Sequence, residues 1–121
     1  MPEPMSDRLD THYWLTAYLR RCSIENIPAQ VRYSGDRARG SILLKVVHVP
    51  SGKCRLLVEV LDANGDAAWM IAGTDGCAEP DADSYIERAR QRDPDLWVLE
   101  IEDRIENQPL GGRLIAASAK R

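Results

Sequence analysis

Residues 93–103, Asp-Pro-Asp-Leu-Trp-Val-Leu-Glu-Ile-Glu-Asp, constrain this chain more than any other stretch. Pro94 halts a helix that reaches it and disfavours helical geometry at Asp93. Beyond it the residues alternate, with Trp97, Leu99 and Ile101 on one side of a strand and Val98, Glu100 and Glu102 on the other. Successive strand side chains point to opposite faces. The aromatic and aliphatic row must therefore be buried, and the second row reads as a hydrated face bearing a carboxylate pair.

Two helical stripes are available to cover the buried row. Trp14, Leu15, Tyr18, Leu19 and Cys22 recur at helical spacing after a polar cap at Asp10 or Thr11, and Pro28 closes that helix. Ala82, Tyr85, Ile86 and Ala89 form the second stripe, opened by Pro80 with Asp81 or Asp83 and closed at Asp93-Pro94. Between the helices lie four strand candidates. Ala29 to Tyr33 is short, and Ile42 to Val49 is aliphatic on both faces and belongs in the middle of a sheet. Cys54 to Leu61 follows a Pro-Ser-Gly turn, and Ala67 to Ala72 returns after Asn64-Gly65. Gly73 to Glu79 reads as a loop. The order is α-β-β-β-β-α-β, an α+β fold with a mainly antiparallel sheet of about five strands and both helices on one face. Its boundaries are a flexible leader at 1–8, one domain at 9–106 and a flexible tail at 107–121, in which Leu114 and Ile115 dock weakly.

The chain of 121 residues is long enough for one core. It contains no Phe, so three Trp and four Tyr supply the aromatic bulk. The net charge of -3 hides an asymmetry: residues 1–60 hold nine Lys/Arg against six Asp/Glu, and residues 61–121 hold seven against thirteen. That imbalance is too small to imply nucleic-acid binding by itself. Three widely spaced cysteines, Cys22, Cys54 and Cys77, fit a reducing cytoplasm better than a disulfide framework. The acidic, Pro-rich start is unlike a signal peptide, and no apolar run approaches the roughly 20 residues of a membrane span.

Three segments together resemble a known family. Trp14 with Tyr18-Leu19-Arg20-Arg21-Cys22, the run Gly40-Ser41-Ile42-Leu43-Leu44-Lys45-Val46, and Asp93 through Arg104 are similar to the small alphaproteobacterial family catalogued as domain of unknown function 1491. The resemblance spans roughly residues 9–106. It implies a bacterial, cytoplasmic, single-domain protein of about this length, and it carries no substrate, cofactor or catalytic residue.

The residues assemble no complete reaction centre of nucleophile, base and electrostatic stabiliser. Glu100 and Glu102 share a strand face about 7 Å apart, a spacing compatible with two-carboxylate hydrolysis, yet alternation alone accounts for the pair. The element order invites comparison with metal-dependent nucleases, but the nearest acidic-x-Lys triplet, Glu59-Val60-Leu61, lacks its lysine. His48 reads as a paired or partly buried histidine. The cysteines with His12 and His48 lack zinc spacing, and the Asp62-Asn64-Asp66 turn lacks calcium's terminal ligand, since position 73 is glycine. Arg20, Arg21, Arg32, Arg37 and Arg39, with Tyr33 beside them, can form a basic patch; the Ser34 to Gly40 loop, which carries Arg37 and Arg39, is polar and bounded by glycines that allow it to move.

Two functional readings follow. The favoured one is a noncatalytic cytoplasmic interaction module without a cofactor, holding an unidentified protein partner through the arginine-rich loop or an uncovered sheet face. Leu43, Val47 and Val49, or their neighbours on the opposite face, would offer that face for a homodimer, and nucleic acid is a weaker candidate partner. The alternative is a small metal-dependent hydrolase or nuclease-like enzyme using Glu59, Glu100 and Glu102.

Overall fold

Thr11–Ile24 forms the first helix, α1, and both of its ends follow from local chemistry. Asp10 caps the start by accepting from the Tyr13 N–H at 3.2 Å. At the other end Asn26 adopts a φ of +60°, the left-handed conformation that asparagine tolerates. This lets Asn26 N–H reach the Ser23 carbonyl at 3.1 Å and Ile27 N–H reach the Cys22 carbonyl at 2.8 Å, a Schellman closure that turns the chain before Pro28.

The computed structural model describes residues 10–61, 63–65, 67–103 and 113–115. The expected leader at 1–8, most of the expected tail at 107–121, and Asp62 and Asp66 of the calcium-like turn lie outside the described residues. After α1 come β1 (Ala29–Tyr33), β2 (Ile42–His48), β3 (Cys54–Leu61), β4 (Ala67–Cys77), α2 (Glu79–Arg92), β5 (Trp97–Asp103) and β6 (Arg113–Ile115). The α-β-β-β-β-α-β order is as read from sequence. β4 runs through the segment read as a loop, up to Cys77, and three residues within the expected tail pair beside it as β6.

The six strands lie in the order β1-β5-β2-β3-β4-β6. β2, β3 and β4 form an antiparallel meander, and Gly65 supplies the positive φ of +85° that the Asn64-Gly65 turn requires. β4 and β5 run in the same direction, so the chain must cross over the sheet between them, and α2 is that crossover. β5 accordingly enters parallel to β2, from Ile42↔Trp97 to His48↔Asp103. The sheet is mixed: three of the five pairings among the described strands are antiparallel, as the sequence suggested, and β2–β5 and β4–β6 are parallel.

The helices lie on opposite faces, which corrects the expectation of a shared layer. Leu15, Tyr18 and Cys22 of α1 pack with Leu44, Val46, Leu57, Trp69, Trp97, Leu99 and Ile101. Ala82, Ile86 and Ala89 of α2 pack with Leu43, Leu56, Ala72, Leu96 and Val98. The cause was visible in β2: a strand aliphatic on both sides needs a cover on each. The face offered for self-association, with Leu43 and Val47, is under α2.

The Ser34 to Gly40 loop is pinned. Asp36 N–H donates to the Asp95 carbonyl at 3.0 Å, and the Trp97 indole donates to the Asp36 carbonyl at 2.7 Å. A Cβ on Gly35 would lie 2.0 Å from the Asp95 carbonyl oxygen, and one on Gly40 would lie 2.3 Å from it and 2.7 Å from the Trp97 ring. These glycines permit close backbone approach; they are not hinges. Gly35→Ala should therefore lower unfolding stability by about 3 kcal/mol through forced separation of loop and strand, measured by urea denaturation.

Candidate functional site

Lys45 stands in the middle of β2 among aliphatic neighbours, with a side chain 0% exposed. A buried ammonium must be paired, and three elements supply the carboxylates. Its Nζ donates to Glu79 Oε2 at 2.7 Å and Asp83 Oδ1 at 2.8 Å, one turn apart on α2. Glu100 of β5, directly beside it in the parallel register, places Oε1 at 3.4 Å. Glu100 also accepts from Arg32 of β1, so charges alternate from α2 across three adjacent strands. Burial works against the Lys45 proton, but the hydrogen bonds to Asp83 and Glu79 and the Glu100 charge outweigh it, and the ammonium holds its proton above the ordinary lysine value.

Around this row the α2 face is closely built. The Arg90 guanidinium lies 3.6 Å from the Tyr33 ring centre, tying the last turn of α2 to β1. A recess of about 200 Å³ between them is lined by Arg32, Tyr33, Asp83, Ile86, Glu87 and Val98. Glu100 is therefore no idle hydrated carboxylate. Its side chain is 19% exposed and shared between two cations.

The structure disperses the other sequence candidates. Glu59 follows Leu57 on the α1 side of β3, whereas Glu100 lies on the α2 side with Glu102, so the three acids of the hydrolase alternative do not converge. Among the described residues no three His, Cys, Asp or Glu side chains are grouped to hold a metal ion, and nothing in this arrangement supports a metal hydrolase. Lys45, buried and protonated, offers no lone pair for general-base work. His48 Nδ1 meets Ser51 Oγ at 2.9 Å within the β2–β3 turn.

The five arginines occupy three places. Arg32 belongs to the charge row. Arg20 and Arg21 lie near the end of α1, with Arg21 paired to Glu25 at 3.2 Å. Arg37 and Arg39 sit at its start, roughly 14 Å away along the axis at 1.5 Å per residue. There the loop carbonyls close the helix: Thr11 and His12 N–H donate to Ala38 and Arg37 at 3.3 and 2.8 Å, and Thr11 Oγ1 donates to Gly40 at 2.9 Å. Asp36 Oδ2 accepts from the N–H groups of Ala38 and Arg39. Arg37 donates to His12 Nδ1 at 3.3 Å, which makes that nitrogen the acceptor, since a guanidinium only donates. Arg39 has no side-chain partner among the described residues.

Sequence reasoning missed Lys45, Glu79 and Asp83. The available signal was a lone lysine inside a central strand, because such a charge is almost never buried unpaired. The pairing is asymmetric, since Glu79 and Asp83 remain 48% and 51% exposed. Lys45→Met should cost only about 1 kcal/mol, as the carboxylates regain water and Glu100 keeps Arg32; the Glu79→Gln/Asp83→Asn pair should cost about 3 kcal/mol by stranding a buried ammonium. Equilibrium denaturation of the two variants decides this. A lysine with a raised folded value stabilises fully below its unfolded value of 10.5 and progressively less as pH rises beyond it. Stability should therefore fall as pH rises above about 10.5. Buried Tyr18 titrates in the same direction, so a shallower fall in Lys45→Met isolates the lysine's share.

Comparison with known proteins bears on the whole arrangement. No curated protein matches the chain. The profile of a family described as "Protein of unknown function (DUF1491)" matches residues 9–111. The crystal structure of a DUF1491 family protein from Caulobacter crescentus CB15 superposes with a TM-score of 0.82 at 37% identity, covering 88% of this chain and 99% of that one. An NMR structure of a DUF1491 family protein from the same organism gives 0.77 at 37% identity, covering 88% and 96%. The solution structure of protein Atu0922 from A. tumefaciens shares the fold, with a TM-score of 0.72 at 23% identity over 87% and 94%. With its profile matched over residues 9–111 and its fold shared with a family member at 37% identity, this chain belongs to the DUF1491 family.

Proposed function

We propose that this protein is a noncatalytic interaction module of the bacterial cytoplasm, and that its contact surface is the loop tip carrying Arg37 and Arg39 beside His12 and Tyr13. The observation that carries this reading is the locking of the loop. Backbone and side-chain hydrogen bonds to α1, Asp95 and Trp97 hold its main chain while both arginines are left exposed. Fixing a loop before contact removes an ordering cost from binding. Tyr13, 62% exposed on the first turn of α1, adds the aromatic surface that interfaces favour alongside arginine.

The partner this tip fits is an acidic protein surface. A nucleic acid is disfavoured because the chain is net negative and α2 carries an acidic stripe of Glu79, Asp83 and Glu87, both of which repel a polyanion. The cytoplasmic assignment rests on the cysteine usage, three widely spaced thiols without a disulfide framework; separately, no helix among the described residues is long and apolar enough to cross a membrane.

Cross-linking and pull-down from native extract tests this, comparing the full chain with an Arg37→Glu/Arg39→Glu variant. The variant should recover specific partners at least about fivefold less well, and raised salt should weaken capture by the parent chain. Its melting temperature should stay within about 2 °C, because exposed substitutions rarely shift stability. Equal recovery by the two proteins would reject the loop tip as the contact surface.

A further inference from the structure

Cys54 opens β3 and Cys77 closes β4, and the antiparallel register sets them directly opposite one another. Both pack with the α2-side cluster, so their side chains share a face. Cys77 Sγ–H donates to the Cys54 carbonyl at 3.7 Å. Directly opposed antiparallel residues hold their Cα atoms about 4.5–5.5 Å apart, within the about 4.4–6.8 Å that a disulfide spans. Cys22 lies across the sheet in the α1-side cluster and cannot join them.

The backbone around the pair has room to adjust. The ladder is irregular between Cys54 and Leu56, and Gly52 and Gly76, at φ of +76° and +75°, have no atoms within 4 Å of where a Cβ would stand. Cys54 is buried and Cys77 half-buried, which orders the approach of a reagent from Cys77 inward.

We propose that Cys54 and Cys77 form a site of reversible thiol–disulfide exchange with a small disulfide of the glutathione type. The Cys77 thiolate attacks one sulfur of oxidised glutathione, forming a mixed disulfide and releasing one glutathione thiolate. Cys54 then gives its proton to solvent and attacks the Cys77 sulfur, the intramolecular disulfide forms, and the second glutathione leaves. Two protein thiols are oxidised and one small disulfide is reduced to two thiols.

The surroundings set the pace. Burial raises both thiols, Cys54 up to about 11. Lys45 on β2 opposes this; Glu79 and Asp83 on α2 reinforce it at Cys54, and Asp81 and Asp75 reinforce it at Cys77. The thiolate is the reacting species, so exchange is slow near neutrality and quickens about tenfold for each unit of pH below the thiol value.

The test incubates the native full-length chain with oxidised glutathione, blocks remaining thiols by alkylation, and reads intact mass and linked peptides. The expected product has lost two hydrogens, carries one alkylated thiol at Cys22, joins the Cys54 and Cys77 peptides, and returns to three thiols with excess reduced glutathione. Cys54→Ser should stop at a glutathione adduct on Cys77. Three unreacted thiols under conditions that oxidise the urea-unfolded chain, a link that includes Cys22, or stable adducts without a link in the parent chain would each overturn the assignment.

Discussion

Everything in this fold answers to the central pair β2 and β5, two parallel strands whose side chains need cover on both sides. Leu44, Val46, Leu99 and Ile101 turn toward α1, while Leu43 and Val98 turn toward α2. Neither helix alone can dry both rows, so the chain must carry one to each face. The crossover through α2 accomplishes this and at the same time fixes β5 as parallel. The apolar rows and the mixed topology are thus one constraint expressed twice.

Within that frame Lys45 is the single fully buried charge among the described residues, and it is tolerated because three elements meet it. Glu79 and Asp83 stand one turn apart on α2, so one helical face presents both carboxylates. Such a cluster does little for net stability, since removing charges from water offsets their attraction. What it does is orient: α2 can lie over β2 in few ways that keep both hydrogen bonds. The Arg90–Tyr33 contact fixes the other end of the helix. The arginine loop is held by a separate set of bonds, to the start of α1, Asp95 and Trp97.

Local pattern made the element order legible. Period-two alternation exposed β5, helical spacing exposed both stripes, and Asn64-Gly65 exposed the β3–β4 turn. The α1 row of Leu15, Tyr18 and Cys22 against Trp97, Leu99 and Ile101 was readable in the same way. What escaped was nonlocal. Which face α2 covers depends on where β5 inserts, and alternation in β5 alone treats Glu100 as solvated because it cannot see Lys45 beside it. The glycines at 35 and 40 misled for a related reason: in sequence a glycine signals freedom, whereas here the Asp95 carbonyl leaves no space for a side chain. The arginines looked like one patch because they are near in sequence order, yet α1 separates Arg20 and Arg21 from Arg37 and Arg39, and Arg32 answers to Glu100.

The placement of Lys45 against Glu100 also works as an alignment key. Sliding β5 along β2 by two residues would keep every side chain on its proper face, so greasy patterning alone cannot forbid the misfit. One direction would bring Val98 to the ammonium and strip it of its strand-borne carboxylate, leaving only Glu79 and Asp83 of α2 to meet it. The other would drive the Glu100 carboxylate against Leu43, beneath the aliphatic underside of α2. A single out-of-place lysine thereby tells two otherwise interchangeable strand pairings apart.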